Sequence, residues 1–260
     1  MMYSKIQFVV NAVTLTAVAS VSLGIGHSSS AQSPRPLFTA ESTISQLNSS
    51  TTFTDIAGVS GETEIKQLAA LGVLETTSGQ FEPQAPITRG QFVAWLVKTY
   101  NQLHKEPIRP PQNTSSAFSD VSSSDTHFTF IQAAYNAGFL AGFDDGNFRP
   151  DDILTREQMI ALKTTLDSTG RDNRSPATLR NFIGKTKGFT DVEEISERYL
   201  SHIALDLGNA ASGRNFTRVY GTTTRIYAPQ KAVTRAEAVL LLSRFRKGGT
   251  VEQALKRRNR

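Results

Sequence analysis

The chain has 260 residues, with 28 Lys and Arg against 23 Asp and Glu, four His and no Cys. The missing thiol excludes a disulfide framework, a thiolate metal site and a cysteine nucleophile, and four His argue against a three-His zinc centre. A net charge of +5 raises nucleic acid or an acidic polymer as partner, so where the charge lies decides what it means.

Residues 1–31 read as a secretory signal. Lys5 gives the positive start, Ile6 to Ile25 is mostly apolar, and Ser29-Ser30-Ala31 sets small residues before Gln32. An uncleaved membrane anchor is the competing reading, because the stretch approaches the length of a bilayer span. No later stretch does, which predicts an exported, soluble mature protein in a bacterial envelope, where disulfides are permitted but not required. Residues 32–52 are rich in Ser, Thr, Pro and Ala and predict a flexible lead-in.

Two phrases then recur three times in order. The opening phrase is Phe53-Thr54-Asp55-Ile56, Phe118-Ser119-Asp120-Val121 and Phe189-Thr190-Asp191-Val192. The closing phrase, aromatic-x-Pro then Thr-Arg, is Phe81-Glu82-Pro83 to Thr88-Arg89, Phe148-Arg149-Pro150 to Thr155-Arg156, and Tyr227-Ala228-Pro229 to Thr234-Arg235. Asp and Arg stand 34, 36 and 44 residues apart, so length varies inside each unit and is fixed at its end. Units are predicted at 53–117, 118–188 and 189–246, each helix-loop-helix. Ile65, Leu68 and Ala69, then Ile131, Ala134 and Tyr135, then Leu200, Ile203 and Leu207 fall on one helical face, with Gly72, Gly138 and Gly208 as stops. Asp144-Asp145-Gly146 reads as a tight turn rather than a calcium loop, which needs six to eight oxygens. In the third unit, Ser212 to Ile226 is an insertion that suggests a small hairpin or an irregular loop.

The second helix of each unit starts at a capping box: Thr88 with Gln91, Thr155 with Gln158, Thr234 with Glu237. Its apolar face holds Phe92, Trp95, Leu96 and Tyr100, then Met159, Ile160 and Leu162, then Val239, Leu240, Leu242 and Phe245, all expected in the core. Arg89, Arg156 and Arg235 occupy the first helical position, where the helix dipole disfavours a cation. Two reasons are open: a salt bridge to Asp55, Asp120 or Asp191, or an anion site in which guanidinium and first-turn N–H groups face a carboxylate or phosphate.

Arg244 to Arg260 holds seven cations and one acid, whereas residues 32–243 carry a net charge of −2. The body is therefore not basic, and nucleic acid drops out as partner. The segment 247–260 is expected to be a frayed, solubilising basic tail, or one that touches an anionic polymer or lipid headgroups.

The phrases resemble the S-layer homology family, most closely in Gly138 to Pro150 followed by Thr155-Arg156-Glu157-Gln158. Only Thr234-Arg235-Ala236-Glu237 is the family's full closing motif. The resemblance implies a mainly α fold of three tandem modules in a pseudo-three-fold bundle, the Thr-Arg helices lining its centre. It implies non-covalent attachment to a peptidoglycan-linked anionic polysaccharide, or to peptidoglycan itself, with Arg89, Arg156 and Arg235 as sugar contacts and no cofactor or metal. An envelope adaptor with degenerate modules, carrying a protein partner or cargo, is the alternative. An enzyme is disfavoured: adjacent carboxylates such as Asp144/Asp145 are not the separated pair of a glycosidase, and no Ser-His-Asp spacing, HExxH or phosphate loop occurs.

Overall fold

The computed structural model describes residues 53–75, 79–168, 170–208 and 214–260; the signal and lead-in expected over 1–52 lie outside the described residues. Among these residues the protein is mainly helical, with nine α-helices and one two-stranded sheet. The first unit supplies α1 (Glu62–Ala70) and α2 (Arg89–Leu103), and the second α3 (Phe128–Asn136) and α4 (Arg156–Asp167). Then α5 (Pro176–Asn181), capped by Ser175 with Pro176 in its first turn, runs into a π-helical turn at Phe182–Thr186. The third unit supplies α6 (Glu197–Gly208), α7 (Asn215–Tyr220) and α8 (Arg235–Leu242).

The repeated residues do repeated work. Gly72 and Gly138 turn left-handed at φ 73° and 74°. That lets the N–H groups of Val73 and Phe139 reach back to the carbonyls of Leu68 and Ala134, each at 3.0 Å, closing α1 and α3 the same way. The opening-phrase carboxylate clamps the closing phrase. Asp55 accepts from the Phe81 and Glu82 N–H groups at 2.8 and 2.7 Å. Asp120 does so from Phe148 and Arg149, and Asp191 from Tyr227 and Ala228, at the same pairs of distances. The clamp holds the middle residue of aromatic-x-Pro left-handed, at φ 56° for Glu82, 61° for Arg149 and 49° for Ala228. A non-glycine residue adopts that region only when its surroundings compel it.

The segments before the three Thr-Arg helices close on one another. Leu154 N–H donates to Ile87, Ile87 N–H to Val233 and Val233 N–H to Leu154, at 2.9–3.0 Å. This ring joins all three repeats through backbone groups, so no single helix start can move without breaking it. Around it the expected apolar faces are buried, Phe92 and Trp95 completely; Tyr100 and Leu240 are half-buried. Truncating such an aromatic typically costs about 3–5 kcal/mol.

Two expectations are corrected. Among the described residues of the third unit's insertion, expected to be a small hairpin or an irregular loop, 215–220 form α7, whose first N–H groups, of Asn215 and Phe216, donate to the buried Asp206 carboxylate at 2.8 and 2.9 Å. The basic segment is not frayed. Arg244–Phe245 (β1) pairs antiparallel with Gly249–Thr250 (β2), and Val251–Arg258 forms α9 behind a fourth capping box, Thr250 with Gln253. Val251 and Ala254 are buried, and α9 packs on α1 and α2. The hairpin is tied to α4, where Arg246 N–H donates to Asp167 at 3.0 Å. Asp167 also pairs with fully buried Lys163, whose ammonium lies 3.8 Å from the Phe245 ring centre and whose pKa burial lowers to about 8. Sequence pattern alone missed this because the buried anchors are few and the surface cations many.

Candidate functional site

The three arginines act between repeats. Arg89 Nε donates to the Phe148 carbonyl at 3.0 Å, Arg156 Nη1 to the Tyr227 carbonyl at 2.6 Å, and Arg235 Nε to the Phe81 carbonyl at 2.7 Å. First unit grips second, second grips third, and third grips first. The gripped residue is always the aromatic of aromatic-x-Pro, whose own N–H is held by the clamping Asp. Each guanidinium also lies over aromatic rings: Arg89 over Phe148 and Phe143, Arg156 over Tyr220, Arg235 over Phe81 and Trp95, at 3.8–5.0 Å from the ring centres.

This geometry explains the cation at a disfavoured position and corrects the salt-bridge reading of it, since the acceptors are carbonyls and not Asp55, Asp120 or Asp191. Among the described residues no ion pair joins Arg89, Arg156 or Arg235 to an acid. Nor do the earliest N–H groups of these helices wait for an anion. Those of Arg89 and Gly90 donate to Asp152 and Pro150 carbonyls, those of Arg156 and Glu157 to Lys231 and Pro229, and those of Arg235 and Ala236 to Ala85 and Pro83. The next repeat thus wraps each helix start in carbonyl oxygens, and their partial negative charge offsets the dipole. Gly90 permits the closest approach, since a Cβ there would sit 2.8 Å from the His127 ring.

The three expected capping boxes close to different extents. Thr234 and Glu237 exchange both bonds, at 3.2 and 3.0 Å. Thr88 accepts from Gln91 N–H at 3.2 Å, and Gln158 Oε1 accepts from Thr155 N–H at 3.3 Å.

Exposure separates the three positions. Arg89 is 3% exposed and Arg156 7%, whereas Arg235 is half-buried and, among the described residues, gives only its Nε to a protein acceptor. Burial lowers the pKa of Arg89 to about 10 and moves Arg235 down as well. The Arg156 guanidinium lies over the Tyr220 ring at 3.8 Å, and burial raises the pKa of the Tyr220 hydroxyl.

Around Arg89 the structure gathers residues that sequence reasoning missed. The half-buried Phe143 ring has the guanidinium carbons of Arg89, Arg149 and Arg198 at 5.0, 4.2 and 4.8 Å from its centre. Arg149 and Arg198 are exposed. Arg149 pairs with Asp145 at 2.8 Å, while Arg198 Nη2 donates to the Gly142 carbonyl at 2.9 Å and has no ion pair among the described residues. Tyr199 follows Arg198 on α6, and burial raises its pKa. The loop carrying Phe143 is tight, because a Cβ on Gly142 would lie 2.5 Å from the Phe118 ring. The result is an aromatic platform bordered by cations from all three repeats, a surface suited to a sugar ring that bears an acid. The signal for Arg149 was its place as the x of aromatic-x-Pro; Arg198 carried none beyond lying next to Tyr199.

The family model described as "S-layer homology domain" matches residues 52–93 and 117–160. The chain is 33% identical over 201 residues to the "Exoglucanase XynX" of Acetivibrio thermocellus, covering 75% of this chain and 16% of that protein. It is 33% identical over 196 residues to the "Amylopullulanase" of Thermoanaerobacterium thermosulfurigenes, covering 74% of this chain and 9% of that one. A "Cellulosome-anchoring protein" of Acetivibrio thermocellus is 23% identical over 177 residues, covering 68% of this chain and 36% of the relative. The chain thus spans well under a fifth of the two enzymes it resembles. Residues 52–93 and 117–160 are thus two S-layer homology segments.

Proposed function

We propose that this protein is a non-catalytic anchoring module that holds to the cell wall through an anionic polysaccharide or peptidoglycan. The observation that carries the reading is Phe143 with three guanidinium groups within 5.0 Å of its ring centre, two of them on exposed side chains. Apolar CH faces of a sugar stack on the ring, and Arg149 and Arg198 meet its acidic substituent. Arg89 lies beneath, positioning the Phe148 carbonyl and adding charge. Arg235, whose terminal nitrogens are given to no acceptor among the described residues, makes a second contact over Phe81 and Trp95. Arg156 is the weakest of the three, since Tyr220 of α7 lies over it at 3.8 Å. In this reading residues 189–246 are a third, divergent module that completes a pseudo-three-fold bundle, and the protein acts in the cell envelope. The similar enzymes match over 9–16% of their length, and the relative named for anchoring favours a binding role.

The test is sedimentation with purified sacculi. The full protein pellets with them, and Arg149→Ala combined with Arg198→Ala leaves it in the supernatant. A wild type that stays in the supernatant at low and high salt sinks wall binding. An unchanged double variant sinks the Phe143 site. Repeating the assay on acid-stripped sacculi separates the two ligands: lost binding assigns the polysaccharide, retained binding the peptidoglycan.

A further inference from the structure

The C-terminal segment is ordered, strongly cationic and uses none of the residues around Phe143. Residues 244–260 carry a net charge of +6, held on the β1–β2 hairpin and α9. An unfolded tail would let these charges spread apart, whereas this one is fixed at both ends. Arg246 N–H is held by Asp167 at 3.0 Å, and Arg258 Nη1 donates at 3.1 Å to the carbonyl of Ala70, the last residue of α1. Lys256, Arg257 and Arg258 fall in the last turn of α9, where the dipole welcomes cations. Arg244, Lys247 and Arg260 lie outside the helix and gain nothing from it. Lys256 is paired with Glu252 at 2.6 Å. Arg244, Lys247, Arg257 and Arg260 are exposed and have no acidic partner among the described residues.

We propose that this hairpin-helix surface is a docking site for a linear polyanion, one bearing phosphate, sulfate or carboxylate groups at close intervals. Three points select a polymer. The cations run from the hairpin along a helix about 12 Å long, more than one small anion can bridge. The apolar side of α9 is unavailable for insertion into a bilayer, because Val251 and Ala254 are buried and Leu255 packs against the core. The large apolar side chains exposed among the described residues, Tyr135, Ile153 and Ile226, all lie outside the segment. What remains is charge alone, and contacts of that kind bind by releasing counterions from a dense polyanion.

The probe is inorganic polyphosphate, titrated into the full protein at several salt concentrations. The wild type binds at low salt, with an affinity that falls steeply as salt rises, a log–log slope of about −3 for four contacts. The variant Arg244→Gln, Lys247→Gln, Arg257→Gln, Arg260→Gln loses at least about tenfold in affinity, while Arg149→Ala with Arg198→Ala keeps it. The smaller variant Arg257→Gln, Arg260→Gln, at the chain's end, shows a partial loss if the fourfold change disturbs folding. Equal affinity of wild type and both Gln variants overturns the proposal, as does a wild type that ignores polyphosphate. Loss in the Arg149/Arg198 variant overturns it too, by placing the contact in the groove. A parallel arm uses phosphatidylglycerol vesicles. If they bind the wild type more tightly than polyphosphate does, and the fourfold variant abolishes this, the surface is a membrane contact and the polymer assignment fails.

Discussion

Arg89 and Arg235 occupy equivalent positions, and their backbone surroundings match almost bond for bond. Each opens a helix behind a Thr cap, donates Nε to an aromatic carbonyl of another repeat and has its own N–H satisfied by that repeat's loop. Their side-chain surroundings differ in charge, mixed around Arg89, where Asp152 accompanies the cations, and acidic around Arg235. The residue after the gripped aromatic is Arg149 beside Arg89 and Glu82 beside Arg235, both left-handed. Arg198 adds a further cation near Arg89, whereas Glu75 and Asp55 add negative potential near Arg235. The backbone framework is thus carried by the repeated residues, and the electrostatic character of each groove by the residues between them.

The largest expected effect tests the framework. Replacing Arg89 by Ala leaves the Phe148 and Ala141 carbonyls short of a donor inside a nearly closed site and should cost about 3 kcal/mol. Arg235→Ala removes one such bond in a half-exposed site and should cost about 1 kcal/mol. Denaturant unfolding of both variants measures the difference. Equal costs would mean that burial does not separate the two positions.

The next test exchanges the groove charges without touching the framework. Arg149→Glu should weaken sacculus binding about tenfold, since it removes one cation from the Phe143 platform and puts an anion in its place. Glu82→Arg should strengthen binding about threefold by giving Arg235 a cationic neighbour. Binding curves from sedimentation at fixed salt read both. If Glu82→Arg changes nothing while Arg149→Glu does, only the groove at Phe143 meets the wall.

Much of the framework was legible because it is local and repeated. The caps at Thr88 and Thr234, the Gly72 and Gly138 stops and the apolar faces of α2, α4 and α8 all follow from spacing within one helix or its ends. The Arg positions were also conspicuous, but their partners were not. A salt bridge to an acid was one of two open expectations, and the structure uses carbonyls of another repeat, which carry no sequence signature. Asp55, Asp120 and Asp191, offered in one of those readings as partners of Arg, instead clamp two N–H groups each. Arg149 became visible only on comparing the x residue across repeats, where Glu82, Arg149 and Ala228 differ in charge. Arg198 reaches Phe143 through the packing of α6 on the second repeat, which no periodicity reports. The tail misled for the same reason: two buried anchors, Val251 and Ala254, decide its structure against five cations that advertise solvent.

The smallest expected effect concerns pH and again sets the clamp apart from the groove. Burial pushes the Asp55 carboxyl up, but the Phe81 and Glu82 N–H groups, with help from Arg235, pull it further down, so its pKa lies below the usual 3.8. The folded protein then binds fewer protons than the unfolded chain between the two pKa values. The clamp's stabilisation is present above about pH 4 and is lost as pH falls through the folded value. Melting temperatures taken from about pH 5 down to about pH 2.5 should drop less steeply in Asp55→Asn than in wild type. Arg235→Ala should also soften the slope, by a smaller amount, because the guanidinium is the minor of the lowering causes. A slope softened more by Arg235→Ala than by Asp55→Asn would mean that groove charge, and not the pair of backbone N–H groups, holds this carboxylate ionised.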